Sequence, residues 1–155
     1  MDTSGTIVDS LGMCLTMEST NDPTHRLQLR AASPTIGGEP SRIATCHCLE
    51  CQRRTGVVIS NQARFRLEEV SFAGKTTAWT RTAESGNVMP YHFCPICGST
   101  VFWENQSFPG HVTLAIGNFA DPTFPAPTVA VWEETMHPWV SLPPDTPPKH
   151  APKQG

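Results

Sequence analysis

Five of the six cysteines in this 155-residue chain lie in two short groups, and their spacing limits the possible folds more than any other feature of the sequence. The first group has the pattern C-x-C-x-x-C, and the second is a C-x-x-C pair followed by glycine. Their members are Cys46, Cys48 and Cys51 in the first group, and Cys94 and Cys97 in the second. A C-x-x-C pair followed by glycine is typical of a metal-binding turn, because glycine adopts the positive φ that such a turn needs. The sequence therefore predicts metal-binding loops.

The alternative for these cysteines is a redox pair or disulfides, which an even number of cysteines permits. A thioredoxin-like pair should begin a helix that follows a strand. Here Cys97 is followed by Gly98-Ser99-Thr100-Val101-Phe102, a run that is typical of a strand. The spacing therefore favours a metal site over a redox pair.

The three cysteines of the first group can bind one tetrahedral ion and leave its fourth position open. Three protein ligands are the catalytic arrangement of zinc, whereas four are the structural one. Zinc bound by three thiolates carries a net negative charge, so it suits a soft fourth ligand such as a substrate thiolate. The number of ligands fits a second arrangement as well as it fits this open site. In that arrangement one structural zinc is bound by four cysteines, Cys48, Cys51, Cys94 and Cys97, and Cys46 takes no part.

The remaining sequence predicts one small all-β domain. Apolar residues recur mostly with a period of two, in short runs separated by glycine and proline. We expect strands over residues 76–82, 88–93, 100–104, 111–116 and 129–132, two strands or one bulged strand over 65–72, and one helix over 49–54. The domain is expected to span residues 23–140, between a disordered leader at 1–22 and an extended proline-rich tail at 141–155.

Charge and hydropathy argue against two classes of partner. The net charge of −3 at pH 7 does not suit a protein that binds nucleic-acid phosphates. The chain has no apolar run of about 18 residues, the length that a transmembrane helix needs. Its first residues lack the basic and apolar regions of a secretory signal. We therefore expect a cytoplasmic protein with neither a nucleic-acid nor a membrane partner.

The cysteine groups and their neighbours resemble the motifs of the CENP-V/GFA family, the relatives of glutathione-dependent formaldehyde-activating enzyme. The stretch Cys46-His47-Cys48-x-x-Cys51-Gln52-Arg53-Arg54-Thr55-Gly56 resembles the family's C-H-C-x-x-C-x-R-x-x-G signature. Residues 92–99 are similar to its F-C-x-x-C-G-S motif, and residues 132–140 are similar to its closing segment. Three separate motifs in the family's order make the resemblance specific.

The resemblance implies an all-β, Mss4-like fold with two zinc sites and carbon–sulfur lyase chemistry. It assigns Cys46, Cys48 and Cys51 to a catalytic zinc, and Cys94 and Cys97 to a structural zinc. The implied reaction is the reversible joining of glutathione, or a similar small thiol, and formaldehyde to S-(hydroxymethyl)glutathione. The alternatives are a zinc-stabilised Mss4-like binding or scaffold module and a degenerate family member without turnover.

Three polar residues next to the first cysteine group are candidates for binding the substrate. Arg53, Arg54 and His47 could hold a carboxylate or move a proton. The alternative is that both arginines are solvated and that the histidine only packs between the cysteines.

The structural zinc site departs from the family's pattern. Its first ligand pair should lie upstream of the first cysteine group, and the register places that pair at Leu27 and Leu29, which cannot bind zinc. The sixth cysteine, Cys14, lies further upstream. Three outcomes are open: Cys94 and Cys97 are free, buried thiols with the leucines filling the space, or they form a disulfide, or Cys14 helps to complete the site.

Overall fold

The computed structural model of the chain describes residues 34–83, 85–144, 146, 148 and 149. Over these residues the chain forms ten strands, one α-helix and three short 3₁₀ turns. The predicted leader, together with Leu27, Leu29 and Cys14, lies outside the described residues.

The strands form one large mixed sheet and one small pair. They are β1 (Thr35–Ile36), β2 (Arg42–Cys46), β3 (Ser60–Arg66), β4 (Val70–Ser71), β5 (Thr77–Thr82), β6 (Val88–Phe93), β7 (Thr100–Trp103), β8 (His111–Ala115), β9 (Val129–Val131) and β10 (Pro148–Lys149). Eight of them form a sheet in the order β10-β9-β2-β3-β8-β7-β6-β5, and β1 pairs with β4. Within the sheet β9 runs parallel to both of its neighbours, and the other pairs are antiparallel.

The two faces of the sheet differ in character, because successive side chains of a strand point to opposite faces. On one face Phe65 of β3 lies opposite Val112 of β8. That face carries the hydrophobic core, whose buried members are Ile36, Ala63, Phe65, Val70, Cys94, Val101, Phe102, Val112, Leu114 and Phe119. At the other end of β3, Ser60 points to the opposite face and is paired with Cys46 of β2. The first cysteine group therefore begins on the face away from the core.

The helix α1 (Leu49–Thr55) connects β2 to β3 and is short because both of its ends are capped. At its start the Cys48 sulfur accepts a hydrogen bond from the backbone N–H of Cys51, at 3.3 Å. At its end Gly56 has a φ of 73° and donates its N–H to the carbonyl of Gln52. No described helix is long and apolar enough to cross a membrane.

The predicted all-β, Mss4-like architecture is confirmed. The helix and the five strands expected after residue 75 are found to within one residue at each end. The expected strand pair near residues 65–72 is β3 and β4, separated by a 3₁₀ turn over Leu67–Glu69. Strand β2 was not predicted, because it lies inside the sheet between β3 and β9 and is buried on both faces, so its residues do not alternate.

Part of the segment predicted as a tail packs against the sheet. Thr146 is buried, and its hydroxyl donates a hydrogen bond to the carbonyl of Pro127 at 2.8 Å. Strand β10 then pairs with β9, whose outer edge would otherwise have no hydrogen-bond partners in the sheet. Residues 146, 148 and 149 are therefore not free of the sheet, and an extended tail over 141–155 stays a prediction. The domain boundaries at residues 23 and 140 stay predictions.

We predict that Phe65→Ala destabilises the domain, since the Phe65 side chain is 0% exposed in the core and packs on Phe119 at a ring distance of 6.4 Å. Loss of such a ring lowers the free energy of unfolding by about 3–5 kcal/mol. The matched control is Leu67→Ala, because Leu67 is 46% exposed; its expected effect is below about 1 kcal/mol. Denaturant titration of both variants measures the difference, and equal losses would contradict the placement of the core.

Candidate metal centre

The sulfur atoms of the first cysteine group form a close cluster. The three Sγ atoms of Cys46, Cys48 and Cys51 all lie within 4.8 Å of one another. Four sulfurs at about 2.3 Å from a tetrahedral zinc ion lie about 3.8 Å apart, so a small inward movement suffices to bind an ion. Since Cys46 ends β2 and Cys48 begins α1, the strand and the helix together set the position of the cluster.

The loop between these ligands is fixed by hydrogen bonds to the closing segment of the domain. The N–H of His47 donates to the carbonyl of Val131 at 3.0 Å. The carbonyl of His47 accepts from Gln52 Nε2 at 2.7 Å and from the Thr135 hydroxyl at 2.8 Å. His137 Nε2 in turn lies 3.1 Å from Gln52 Oε1. His137 therefore helps to position the loop.

The three thiols differ in pKa, and therefore in how readily each loses its proton. Hydrogen bonds to the other two sulfurs, together with burial, raise the pKa of the Cys46 thiol far above its ordinary value. Hydrogen bonds from the Cys46 and Cys48 thiols lower the pKa of Cys51, and the charges of Arg54 and Arg81 lower it further. In the absence of a metal ion these shifts favour a single thiolate, at Cys51, since three thiolates this close together repel one another. A bound divalent ion would remove that repulsion, and the donor set is the soft one that zinc accepts.

Among the described residues the cluster has three ligands, so a tetrahedral ion bound by them would keep one position for a further ligand. Within the described residues no further cysteine, histidine or carboxylate joins the group. Cys46 and Cys51 are buried, whereas Cys48 is partly exposed. The predicted open Cys₃ arrangement fits this geometry. The shared Cys₄ site is wrong, because neither Cys94 nor Cys97 belongs to the cluster.

Arg54, a predicted substrate-binding residue, lies on the same side of α1 as Cys51. Its guanidinium donates to the hydroxyls of Thr100 at 2.8 Å and Ser60 at 3.2 Å. It also lies 4.8 Å from the ring centre of Tyr91 and 5.0 Å from that of Trp103. These contacts hold a positive charge beside the thiolate.

Arg81 is a second cation of the site, and sequence reasoning missed it. Its side chain is 15% exposed and lies 3.6 Å from the carboxylate of Glu50. Its charge acts on Cys51, and its Cζ lies 6.0 Å from the ring centre of Tyr91. Burial raises the pKa of the Tyr91 phenol, and the arginines oppose that rise. No sequence motif marks Arg81, because β5 meets the cluster only through the tertiary fold.

The other two predicted substrate-binding residues are placed differently. His47 is fully buried, and burial lowers the pKa of its imidazole. The Arg53 side chain is 68% exposed and forms an ion pair with Glu50. Roles for these two residues in substrate binding stay predictions, and of the adjacent arginines only Arg54 packs beside the cluster.

The second cysteine pair consists of free thiols with unequal exposure. Cys94 is 1% exposed and belongs to the core, whereas Cys97 is exposed, so the expectation that both are buried is wrong for Cys97. Hydrogen bonding with Ser99 lowers the pKa of Cys97. No disulfide joins the two cysteines. Their predicted role as ligands of a second zinc stays a prediction.

Comparisons with known proteins extend these observations. The family model described as glutathione-dependent formaldehyde-activating enzyme matches residues 30–135. No curated protein matches the chain. A solved structure of a Rhodobacter sphaeroides protein, a structural genomics target, is 18% identical to it, with a TM-score of 0.47. That similarity covers 60% of this chain and 85% of the other.

We predict that the reduced full-length chain binds metal through the first cysteine group. Titration with Zn²⁺ against a chromophoric chelator should show tight binding that Cys46→Ser abolishes, because only two thiols remain. The control Cys97→Ser changes an exposed thiol outside the cluster and should leave this binding intact. Loss of the same binding in both variants would contradict the three-cysteine centre.

We also predict that metal uptake at neutral pH releases about two protons per ion, since Cys46 and Cys48 are protonated when Cys51 is the thiolate. Affinity should therefore rise as the pH rises. Calorimetry in buffers with different ionisation enthalpies measures the protons released. A result near zero would mean that all three thiols are ionised before the metal binds.

Proposed function

This chain belongs to the family of glutathione-dependent formaldehyde-activating enzymes, whose model matches residues 30–135, and we propose that it is a zinc-dependent carbon–sulfur lyase. Its substrate is the adduct of glutathione, or of another small thiol, with formaldehyde or another small aldehyde, such as S-(hydroxymethyl)glutathione. The observation that carries the proposal is the cluster of three thiols, of which Cys48 is partly exposed. We place the reaction in the cytoplasm, where thiols stay reduced.

The donor set decides which chemistry the centre suits. A zinc ion bound by Cys46, Cys48 and Cys51 would keep a substrate thiol ionised at the open position. The three thiolates leave little positive charge with which to ionise water, so the site is suited to sulfur chemistry rather than to hydrolysis. The partly exposed side of Cys48 is where a small thiol can approach.

The two arginines supply positive charge on the side where the carbonyl reacts. When a thiolate adds to an aldehyde, negative charge develops on the aldehyde oxygen, and a nearby guanidinium stabilises that charge. Arg54 is committed to Thr100 and Ser60, so it acts as a fixed charge. Arg81 has a long ion pair with Glu50, at 3.6 Å, so a substrate carboxylate or oxyanion can compete for its guanidinium.

The alternative is a zinc-stabilised binding module without turnover, and kinetics distinguish the two. We predict that the zinc-loaded full chain accelerates exchange between free formaldehyde and S-(hydroxymethyl)glutathione, as measured by NMR exchange spectroscopy. The spontaneous exchange without protein is the baseline. Cys46→Ser should return the rate to that baseline. A folded, zinc-loaded wild-type protein that does not accelerate the exchange would favour the binding module.

A pair of arginine variants tests the roles of the two charges. Arg81→Gln should lower kcat/KM about tenfold to a hundredfold, the effect of removing one hydrogen bond to a charged group. Arg66→Gln is the matched control, because its ion pair with Glu68 is exposed and such pairs contribute little. It should leave kcat/KM within about twofold of the wild type. Equal losses in the two variants would contradict the assignment of Arg81.

A further inference from the structure

The second cysteine pair has little means of binding a metal in the part of the chain that the structure describes. No group of three or more metal-binding side chains there includes Cys94 or Cys97. Structural zinc sites use four ligands, and the two positions that the family's register assigns to this site are Leu27 and Leu29. Two thiols without further ligands retain their own sulfur chemistry, which is disulfide exchange.

The backbone brings the two cysteines within reach of each other. Residues 95–97 form a turn, closed by a hydrogen bond from the Gly98 N–H to the Cys94 carbonyl at 2.9 Å. The Cys94 N–H donates to the Ser99 carbonyl, also at 2.9 Å. This bond closes a single helical turn, in which Cα atoms three residues apart lie about 5 Å from each other, and disulfides join Cα atoms about 4.4–6.8 Å apart. A disulfide can therefore form within the turn, without moving β6 or β7.

The two thiols differ in solvent exposure, and this difference determines which of them reacts first with a solute. Cys97 is exposed, and its thiol lies 3.3 Å from the Ser99 hydroxyl. Cys94 is 1% exposed and packs in the core that also contains Val101 and Phe102. A solute can therefore reach the sulfur of Cys97 but not that of Cys94.

We propose that Cys94 and Cys97 form a reversible dithiol–disulfide site that exchanges with small disulfides such as glutathione disulfide. The Cys97 thiolate attacks one sulfur of glutathione disulfide, whose S–S bond breaks and releases one glutathione thiolate. The deprotonated Cys94 sulfur then attacks Cys97 and releases the second. Two cysteine thiols are oxidised, one glutathione disulfide is reduced to two thiols, and the two cysteine protons end on the two glutathiones. This site is independent of the proposed lyase activity.

Peptide mapping of the full chain tests the proposal. Trypsin cleaves after Arg81 and Lys149 but nowhere between them, so the peptide of residues 82–149 contains Cys94 and Cys97 and no other cysteine. After incubation with glutathione disulfide, acid quenching and alkylation, the mass of the wild-type peptide should be that of the reduced peptide less two hydrogen atoms. It should carry no alkyl group. In Cys94→Ser, Cys97 should instead retain a glutathione adduct. In Cys97→Ser, Cys94 should acquire no adduct.

Two outcomes would overturn the proposal. One is a wild-type peptide in which Cys97 keeps its glutathione adduct and no internal disulfide forms. The other is a tightly bound zinc ion that both Cys94→Ser and Cys97→Ser release, which would make the pair a metal site. Because Cys94 lies in the core, Cys94→Ala is measured alongside Cys94→Ser, and the adduct is scored on whichever variant stays folded.

Discussion

Mutual repulsion among three adjacent thiolates is the constraint around which the functional face of this domain is arranged. With their sulfurs within 4.8 Å of one another, Cys46, Cys48 and Cys51 cannot all be ionised unless positive charge is near. The chain itself supplies part of that charge through Arg54 and Arg81, which favour the thiolate of Cys51. A divalent ion would supply the rest, so the cluster gains its full negative charge only as it binds the metal.

The cysteine cluster and the hydrophobic core lie on opposite faces of the sheet. One face carries the apolar core around Phe65 and Val112, and it also buries Cys94. The other face carries Cys46, and beside the cluster lie the aromatic rings of Tyr91 and Trp103, against which Arg54 packs. The two cysteine groups therefore occupy different environments, and their sulfurs do not form one cluster despite their similar motifs. The hydrogen bonds of Gln52 fix the ligand loop to the chain's closing segment.

Much of the fold and the centre of the site could be predicted from local sequence. Alternation located most strands, and the spacing of the first three cysteines located the cluster, because both patterns act over a few residues. Strand β2 could not be found this way, since both of its faces are buried. Arg81 reaches the cluster through the pairing of β5 with β6, and the exposure of Cys97 depends on how its turn packs. Both depend on the tertiary fold, so neither could be predicted from the neighbouring residues.

We propose that the three cysteines hold a metal ion whose fourth position accepts a small thiol. Absorption spectroscopy of the protein loaded with Co²⁺ tests it most directly, because cobalt bound by thiolates reports the number and kind of its ligands. We expect glutathione to change the spectrum in the direction of a fourth sulfur ligand, and S-methylglutathione, which has no thiol, to leave it unchanged. A cobalt spectrum that glutathione does not alter, or that both compounds alter equally, would rule out thiol binding at the metal.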